Sequence, residues 1–236
     1  MTTLVKILIL FLMTIFLSSC MFGPGIMGNG DVVTENRDTD QKFTQISAQE
    51  GIMVYVSQAK EYSIEVEADE NIIDLIGTDI NDGQLKIHAI ENIGHATKKV
   101  YVSLPNITAL KSSSGAHLNT ENKIKTNELV VDGSSGANMN LSFETDELEI
   151  DASSGANLKL EGKANETNID ASSGGNINAR NLETANCDAG ASSGGNLSIH
   201  VSKNLKAEAS GGGNIAYLGE PTVEKNKSVS GSVHKY

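Results

Sequence analysis

Three aspartates recur at one position of a repeated segment, and carboxylates in such a pattern can bind a cation. Asp132, Asp151 and Asp170 follow one another at intervals of nineteen residues. If the segments stack as neighbouring strands, the carboxylates lie about 4.8 Å apart and repel one another. A hard cation such as Ca²⁺ takes oxygen ligands and would relieve this repulsion. The column is therefore a candidate calcium site, and a solvated acidic face or aspartates that cap their own turns are the alternatives.

Other residues that could do chemistry lack the partners that catalysis needs. Serine recurs in six copies of a Ser-Gly phrase, but a serine nucleophile needs a base and an orienting acid, and no copy is special in this respect. The five histidines, at positions 88, 95, 117, 200 and 234, show no metal-ligand spacing. We therefore predict no catalytic residue and no cofactor.

The Ser-Gly phrase is the most informative pattern in the chain. Each of its six copies contains one fixed position, which is asparagine in five of them. The six residues in this column are His117, Asn138, Asn157, Asn176, Asn196 and Asn214. The steps between them are 21, 19, 19, 20 and 18 residues, and a constant period near 20 indicates units that stack on one another.

The residues around the phrase predict what each unit is. Apolar or small residues alternate with polar ones on both sides of it, which is the period of a strand with one buried face. Cys187 falls in an inward column, where a buried thiol is inert. Units of about 20 residues are too short to hold a helical crossover. The sequence therefore predicts an all-β, right-handed parallel β-helix of about six 18–21-residue coils, with an irregular N-terminal β cap. Each Ser-Gly phrase would form a corner, and the asparagine column would form an amide ladder.

The first twenty residues predict export and lipidation. Lys6 precedes an apolar run, residues 7–17, that is too short to span a membrane, and Ser18 and Ser19 come directly before Cys20. Leu17 to Cys20 resembles a bacterial lipoprotein cleavage box, which implies cleavage before Cys20 and diacylation of its sulfur. An ordinary secreted protein, with Cys20 as a bystander, is the alternative.

The chain divides by composition into a leader, a tether and one domain. We assign residues 1–19 to the signal peptide, 20–40 to the lipid anchor and a flexible tether, and 41–236 to the β-helix domain. That domain comprises N-terminal strands or cap at 41–106, regular repeats at 107–220 and a C-terminal cap at 221–236. The net charge of −12 argues against a nucleic-acid partner, which would need a basic face.

The domain resembles a known family. Residues 43–46, 51–56, 82–87 and 100–105, followed by the Ser-Gly-(Ala/Gly)-Asn repeats, are similar to the head GIN domain family. The resemblance covers about residues 40–236, although the chain has Gly-Asn-Ile at 175–177 and 213–215 in place of the family's Gly-Ile-Asn triplet. It implies a β-helical, autotransporter-adhesin-like protein of unknown function, often lipid-anchored, with no established catalytic motif.

These observations predict a non-catalytic head that offers a binding, adhesion or scaffolding surface at the cell envelope. Its partners would be the membrane, through the lipid anchor, and an envelope protein or polysaccharide, with self-association also open. The absence of acidic residues between Cys20 and Asp31 favours the periplasmic face of the outer membrane. The alternatives are a carbohydrate-active β-helix enzyme and a structural spacer. A concave aromatic or carboxylate-lined groove would favour the enzyme, and a flat face of Asn, Ser and Lys would favour binding.

Overall fold

The computed structural model describes residues 23, 25–227 and 230–236. The predicted signal peptide and Cys20 lie outside the described residues. Within the described chain, no helix is long and apolar enough to cross a bilayer. The secondary structure is almost entirely strand, with one short 3-10 turn at Ile73–Leu75.

Eighteen strands of the described residues join into one hydrogen-bonded sheet that winds into a solenoid. They are β1 (Val32–Asn36), β2 (Gln45–Ala48), β3 (Met53–Gln58), β4 (Ser63–Asp69), β5 (Ile76–Asn81), β6 (Gln84–Ala89), β7 (Lys98–Leu104), β8 (Ala109–Ser112), β9 (His117–Thr120), β10 (Ile124–Lys125), β11 (Glu128–Gly133), β12 (Asn138–Ala152), β13 (Asn157–Ala171), β14 (Asn176–Ala191), β15 (Asn196–Ala209), β16 (Asn214–Leu218), β17 (Thr222–Lys227) and β18 (Ser232–Lys235). The predicted all-β solenoid is confirmed.

Each regular coil has two sides joined by two different corners. The Ser-Gly phrase forms the tight corner, and strand continues through the rest of the coil, as in β12 to β15. In β12 the alternation of buried and exposed residues slips at Asp146 and Glu147, which are both exposed. This slip turns the strand over the second corner, so that one long strand supplies both sides of the coil.

The coils stack in parallel and in register, as predicted. Asn138 lies beside Asn157, Leu148 beside Thr167, and Ala152 beside Ala171. The apolar column after the corner is buried throughout: Leu118, Met139, Leu158, Ile177, Leu197 and Ile215. Cys187 is buried among these columns, and its burial raises the pKa of the thiol. The core is therefore a set of continuous apolar stacks between the two sides.

The tight corner places two successive residues in the left-handed region. Ser154 has φ 50° and Gly155 has φ 76°, and the amide of Ala156 donates to the carbonyl of Ser153 at 3.0 Å. Glycine adopts this conformation freely, whereas serine does so at a cost of about 1–2 kcal/mol. Gly211 replaces the second serine in the last copy of the phrase. The corner is thus a strained turn, and backbone hydrogen bonds to the neighbouring coil hold it in place.

The predicted N-terminal cap contains true coils in an unexpected order. β2, a tight corner at residues 49–52 and β3 form one coil, and β6 with β7 forms another. β2 pairs in parallel with both β6 and β8, and β3 pairs with both β7 and β9. The first coil in the sequence therefore lies between the second and the third in space.

Antiparallel strands close the N-terminal end of the stack. β4 pairs with β7, and β1 pairs with β4, while β5 pairs with β6 on the other side. Residues 20–40 were predicted as a flexible tether, but Val32–Asn36 forms β1, because its backbone completes the free edge of β4. At the other end, β18 continues the stack in parallel with β16 as an incomplete further coil.

Candidate binding faces

The side of the solenoid after the tight corner carries a regular polar surface, which we call the asparagine face. It is built from two outward columns two residues apart. The first column holds His117, Asn138, Asn157, Asn176, Asn196 and Asn214, and the second holds Asn119, Asn140, Lys159, Asn178 and Ser198. Since neighbouring strands are about 4.8 Å apart, the amides repeat at that spacing along the stack.

The asparagines of the first column cap their own corners. The side-chain amide nitrogens of Asn138, Asn157 and Asn196 each donate to the carbonyl two residues earlier, at 3.2, 3.2 and 3.1 Å. The predicted ladder of amide-to-amide bonds is therefore wrong for these three residues. A carboxamide has a second N–H and an acceptor oxygen, so capping fixes the direction of groups that can still bind a ligand.

A shallow groove of about 290 Å³ runs between the two columns. Its rim carries amide, amine and imidazole groups, and its floor runs over Met139 and Leu158, whose side chains are buried. The rim residues are His117, Asn119, Asn138, Asn140, Asn157, Lys159, Asn176 and Asn178. The groove thus offers both hydrogen-bond donors and acceptors with little net charge.

Two stacked tyrosines continue the second column towards the N-terminal end. Tyr101 lies beside Tyr55, and Tyr55 lies beside Asn119. The tyrosine rings are 5.1 Å apart between centroids and inclined by 15°. Both side chains are half-buried, so the aromatic pair is part of the outer surface.

An ion pair holds this tyrosine pair in place. Glu67 accepts a hydrogen bond from Nζ of Lys99 at 2.7 Å and one from the hydroxyl of Tyr101 at 3.1 Å. The bond from Lys99 lowers the pKa of Glu67, and desolvation raises the pKa of Tyr101. Both tyrosines lie before the Ser-Gly repeats, and the sequence analysis did not predict them as part of a binding surface. Their alternation with buried valines was the available signal.

The side of the solenoid before the tight corner is acidic, and we call it the acidic face. The three predicted aspartates lie there in one register column, with Lys111 next to Asp132. Partial desolvation, followed by repulsion from Asp170, Glu149 and Asp132, raises the pKa of Asp151. Desolvation and repulsion from Asp188 and Glu208 likewise raise the pKa of Asp170. The carboxylates are crowded, as the sequence predicted.

The predicted cation site does not take shape around these aspartates. In the part of the chain that the structure describes, no group of three or more His, Cys, Asp or Glu side chains is placed to hold a metal ion. The carboxylate of Asp170 instead extends over Gly190, where a Cβ would lie 1.9 Å from one of its oxygens. Repulsion in this column is thus relieved partly by a gap rather than by a shared ligand.

The acidic face also holds a larger groove, of about 630 Å³. Carboxylates and amides line it: Glu128, Glu147, Glu149, Glu166, Asn168, Asn186, Asp188 and Asn204, with Lys206 beside them. A short row of hydrogen bonds links three coils along it, because Asn186 donates to Glu166 at 2.7 Å and Asn204 donates to Asn186 at 2.8 Å. The second of these bonds joins two amides of neighbouring coils near the second corner.

Lys206 is the cation of this larger groove, and carboxylates hold it in its charged form. Its Nζ lies 2.9 Å from Asp188 and 3.5 Å from Glu208. The hydrogen bond from Asp188 raises the pKa of Lys206. A lysine that takes a proton from a sugar must be neutral, so these pairs oppose that role.

Comparisons with known proteins agree with this architecture. A family model described as "Putative auto-transporter adhesin, head GIN domain" matches residues 42–221. Among curated proteins, none matches this sequence.

Solved structures share the fold at low sequence identity. A putative adhesin from Bacteroides fragilis is 21% identical, with a TM-score of 0.81, over 90% of this chain and 100% of that one. A putative adhesin from Parabacteroides distasonis is 21% identical, with a TM-score of 0.72, over the same shares. A protein of the latter organism described as a putative lipid binding protein is 19% identical, with a TM-score of 0.69, over 89% of this chain and 99% of that one.

Proposed function

The chain belongs to the family described as "Putative auto-transporter adhesin, head GIN domain", and on this basis we propose that it is a non-catalytic binding head, held at the cell envelope by a lipid on Cys20. The asparagine face would hold the ligand. The names of the family and of the similar solved structures support a binding role, and the leader sequence supports the anchor.

The observation that carries the binding role is the repetition of oriented amides along the asparagine face. A carboxamide both donates and accepts hydrogen bonds, which suits the hydroxyl groups of a polysaccharide. Asn138, Asn157 and Asn196 are fixed by capping and lose little freedom on binding, so this part of the surface is preorganised. The ligand class that fits is therefore an extended, hydroxyl-rich polymer lying along the stack.

Affinity electrophoresis in gels cast with neutral polysaccharides tests this ligand class. The double variant Asn140→Ala/Asn178→Ala removes two exposed amides of the second column and should lose the retardation of the wild-type protein. Asn168→Ala removes an exposed amide from the acidic face and is the matched control. Equal retardation of all three proteins would place the ligand elsewhere, and no retardation in any gel would favour the structural spacer.

The anchor has its own test. Cys20→Ala should move the protein from the membrane fraction to the soluble fraction, and a variant that still sediments with membranes would refute lipidation. We place the head on the periplasmic side because no acidic residue occurs between Cys20 and Asp31. Protease added to intact cells should therefore leave the wild-type protein uncut. Cleavage in intact cells would show surface exposure.

A carbohydrate-active enzyme is the second candidate, and the carboxylate-lined groove favours it. Glycoside hydrolysis uses two carboxylates, and Glu147 lies beside Glu166 in the register. The charged state of Lys206 opposes a lyase mechanism at the same place. Release of reducing ends from polysaccharides, lost in Glu166→Gln, would support the enzyme; intact polysaccharides after incubation would leave the binding head.

A further inference from the structure

The exposed apolar side chains of this protein gather at one end of the solenoid. Seven large hydrophobic residues of the described chain are exposed. Five belong to the segment before β2 or to the loop after β6, both at the N-terminal end: Ile26, Met27, Val32, Val33 and Ile90. The other two are Met53 and Tyr236. An ordinary protein surface carries single, scattered apolar residues. The clustering of five of the seven at one end therefore calls for an explanation.

Backbone pairing brings the members of this apolar end together. The amide of Ile26 donates to the carbonyl of Asn92 at 2.9 Å, and the amide of Gly94 donates to the carbonyl of Ile26 at 2.9 Å. These bonds hold Ile26 and Met27 against the loop that carries Ile90. β1, with Val32 and Val33, follows as the last strand on the same end.

The length of chain between this end and the anchor is short. Five residues separate Cys20 from Ile26, so the six steps between them span at most about 20 Å when the chain is fully extended. A lipidated Cys20 lies at the bilayer surface, where the headgroup layer is about 5–8 Å deep on each side. The apolar end is therefore the part of the head that is held nearest to lipid.

We infer that the N-terminal end of the solenoid is a membrane seat: Ile26, Met27 and Ile90 dip into the lipid interface while the coils project away from it. This inference rests on the proposed anchoring through Cys20. The anchor keeps the end at a high effective concentration near the bilayer, so a weak apolar contact is enough to fix its orientation.

Charged residues near the seat indicate which lipid headgroups the seat fits. Asp31, Glu70 and Glu91 are exposed beside the apolar residues, and the carbonyl of Asp31 is bonded to the amide of Glu70. Anionic headgroups would repel these carboxylates. The seat therefore fits a zwitterionic lipid surface better than an anionic one.

Such seating would set the presentation of the asparagine face. Eleven strands stack along that side, from β1 at the seat to β18 at the far end. At about 4.8 Å per step, the far end stands about 48 Å from the seat. Both grooves then lie on the flanks of a column that rises from the membrane, and neither faces the bilayer.

Tryptophan fluorescence tests the seat directly, because the chain contains no tryptophan. The mature lipidated protein, purified from membranes, is reconstituted into phosphatidylcholine vesicles with brominated acyl chains. Ile90→Trp places the reporter in the seat, and Tyr236→Trp places it on the last residue of the chain. We expect quenching and a shift to shorter wavelength for Ile90→Trp and neither for Tyr236→Trp. Replacing part of the phosphatidylcholine by phosphatidylglycerol should weaken the quenching.

The outcomes separate the seat from the anchor. Protein that fails to float with vesicles overturns the anchor, and the seat with it. Protein that floats but shows the same solvent-like emission at both reporters overturns the seat alone. A third outcome is that the Ile90→Trp emission is already shifted in detergent-free solution without vesicles and that this shift depends on protein concentration. This result would identify a second copy as the occupant and overturn the membrane seat. Met27→Trp is a second reporter if Ile90→Trp does not fold.

Discussion

The crowded aspartates of the acidic face make a prediction with a defined sign. Asp151 has an acidic neighbour on each side in its column, Asp132 and Asp170. Like charges directly opposite on paired strands destabilise by roughly 0.2–1 kcal/mol per pair. Because these side chains are exposed or half-buried, we take the lower part of that range for each pair. Asp151→Asn should therefore stabilise the fold at pH 7 by about 0.5–1 kcal/mol, which raises the melting temperature by about 1–4 °C.

The pH dependence of this effect follows from the direction of the pKa shifts. The pKa of Asp151 is raised above its ordinary value of 3.8 in the folded protein. The destabilisation is complete above the folded pKa and is relieved as the pH falls through it towards 3.8. The advantage of Asp151→Asn should therefore be present at pH 7 and absent at pH 3. High salt at pH 7 should also reduce it.

Asp132→Asn is the matched control in the same column. Asp132 has Asp151 on one side but Lys111 on the other, so the substitution removes one repulsion and one attraction. Its effect should stay within about 0.5 kcal/mol of zero. Thermal melting followed by circular dichroism at both pH values provides the comparison. Equal stabilisation by the two variants, or a gain for Asp151→Asn that persists at pH 3, would refute the repulsion argument.

Three further substitutions or probes test other parts of the coil. Gly175→Ala would put a Cβ 2.3 Å from the carbonyl oxygen of Ala152 in the neighbouring coil. Urea denaturation should therefore show that the free energy of unfolding falls by about 1–3 kcal/mol. An unchanged free energy of unfolding would show that the two coils can move apart to admit the Cβ. Asn196→Ala removes a capping bond and should cost about 0.5–1.5 kcal/mol in the same assay, whereas no loss would mean that the cap is unimportant. In a Cys20→Ser background, Cys187 should resist maleimide until urea unfolds the protein, and rapid labelling without urea would contradict its burial.

Much of the fold was predictable because it repeats. The same residues follow both the two-residue alternation of a strand and the repeat length near twenty of a coil. Each copy therefore supports the interpretation of the others. Cys187 and the column that contains Leu158 could be assigned to the interior on this basis alone, and both are buried. The positions of Asp132, Asp151 and Asp170 in one column followed from the same register.

The features that were not predictable are those in which local geometry decides. An asparagine at a corner can bond its neighbour in the next coil or its own turn, and the left-handed turn at Ser154 and Gly155 places the turn carbonyl within reach. The order of the first coils depends on long-range pairing of β2, for which the sequence carries no periodic signal. The pairing of β1 likewise depends on a free edge that appears only in the folded protein.

The interposed first coil bears on how the head would carry a load. A binding head held at its N terminus is pulled through β1 and then through β2. β2 is bonded on one side to β6 and on the other to β8, so drawing it out must shear two ladders at once. β18, at the opposite end, is bonded to β16 along one edge and can peel away one bond at a time. β1 is also bonded along one edge, to β4, so under load it gives way before β2 does. Beyond β1, the solenoid is thus mechanically polar, because β2 near the anchor resists extraction more than β18 at the far end.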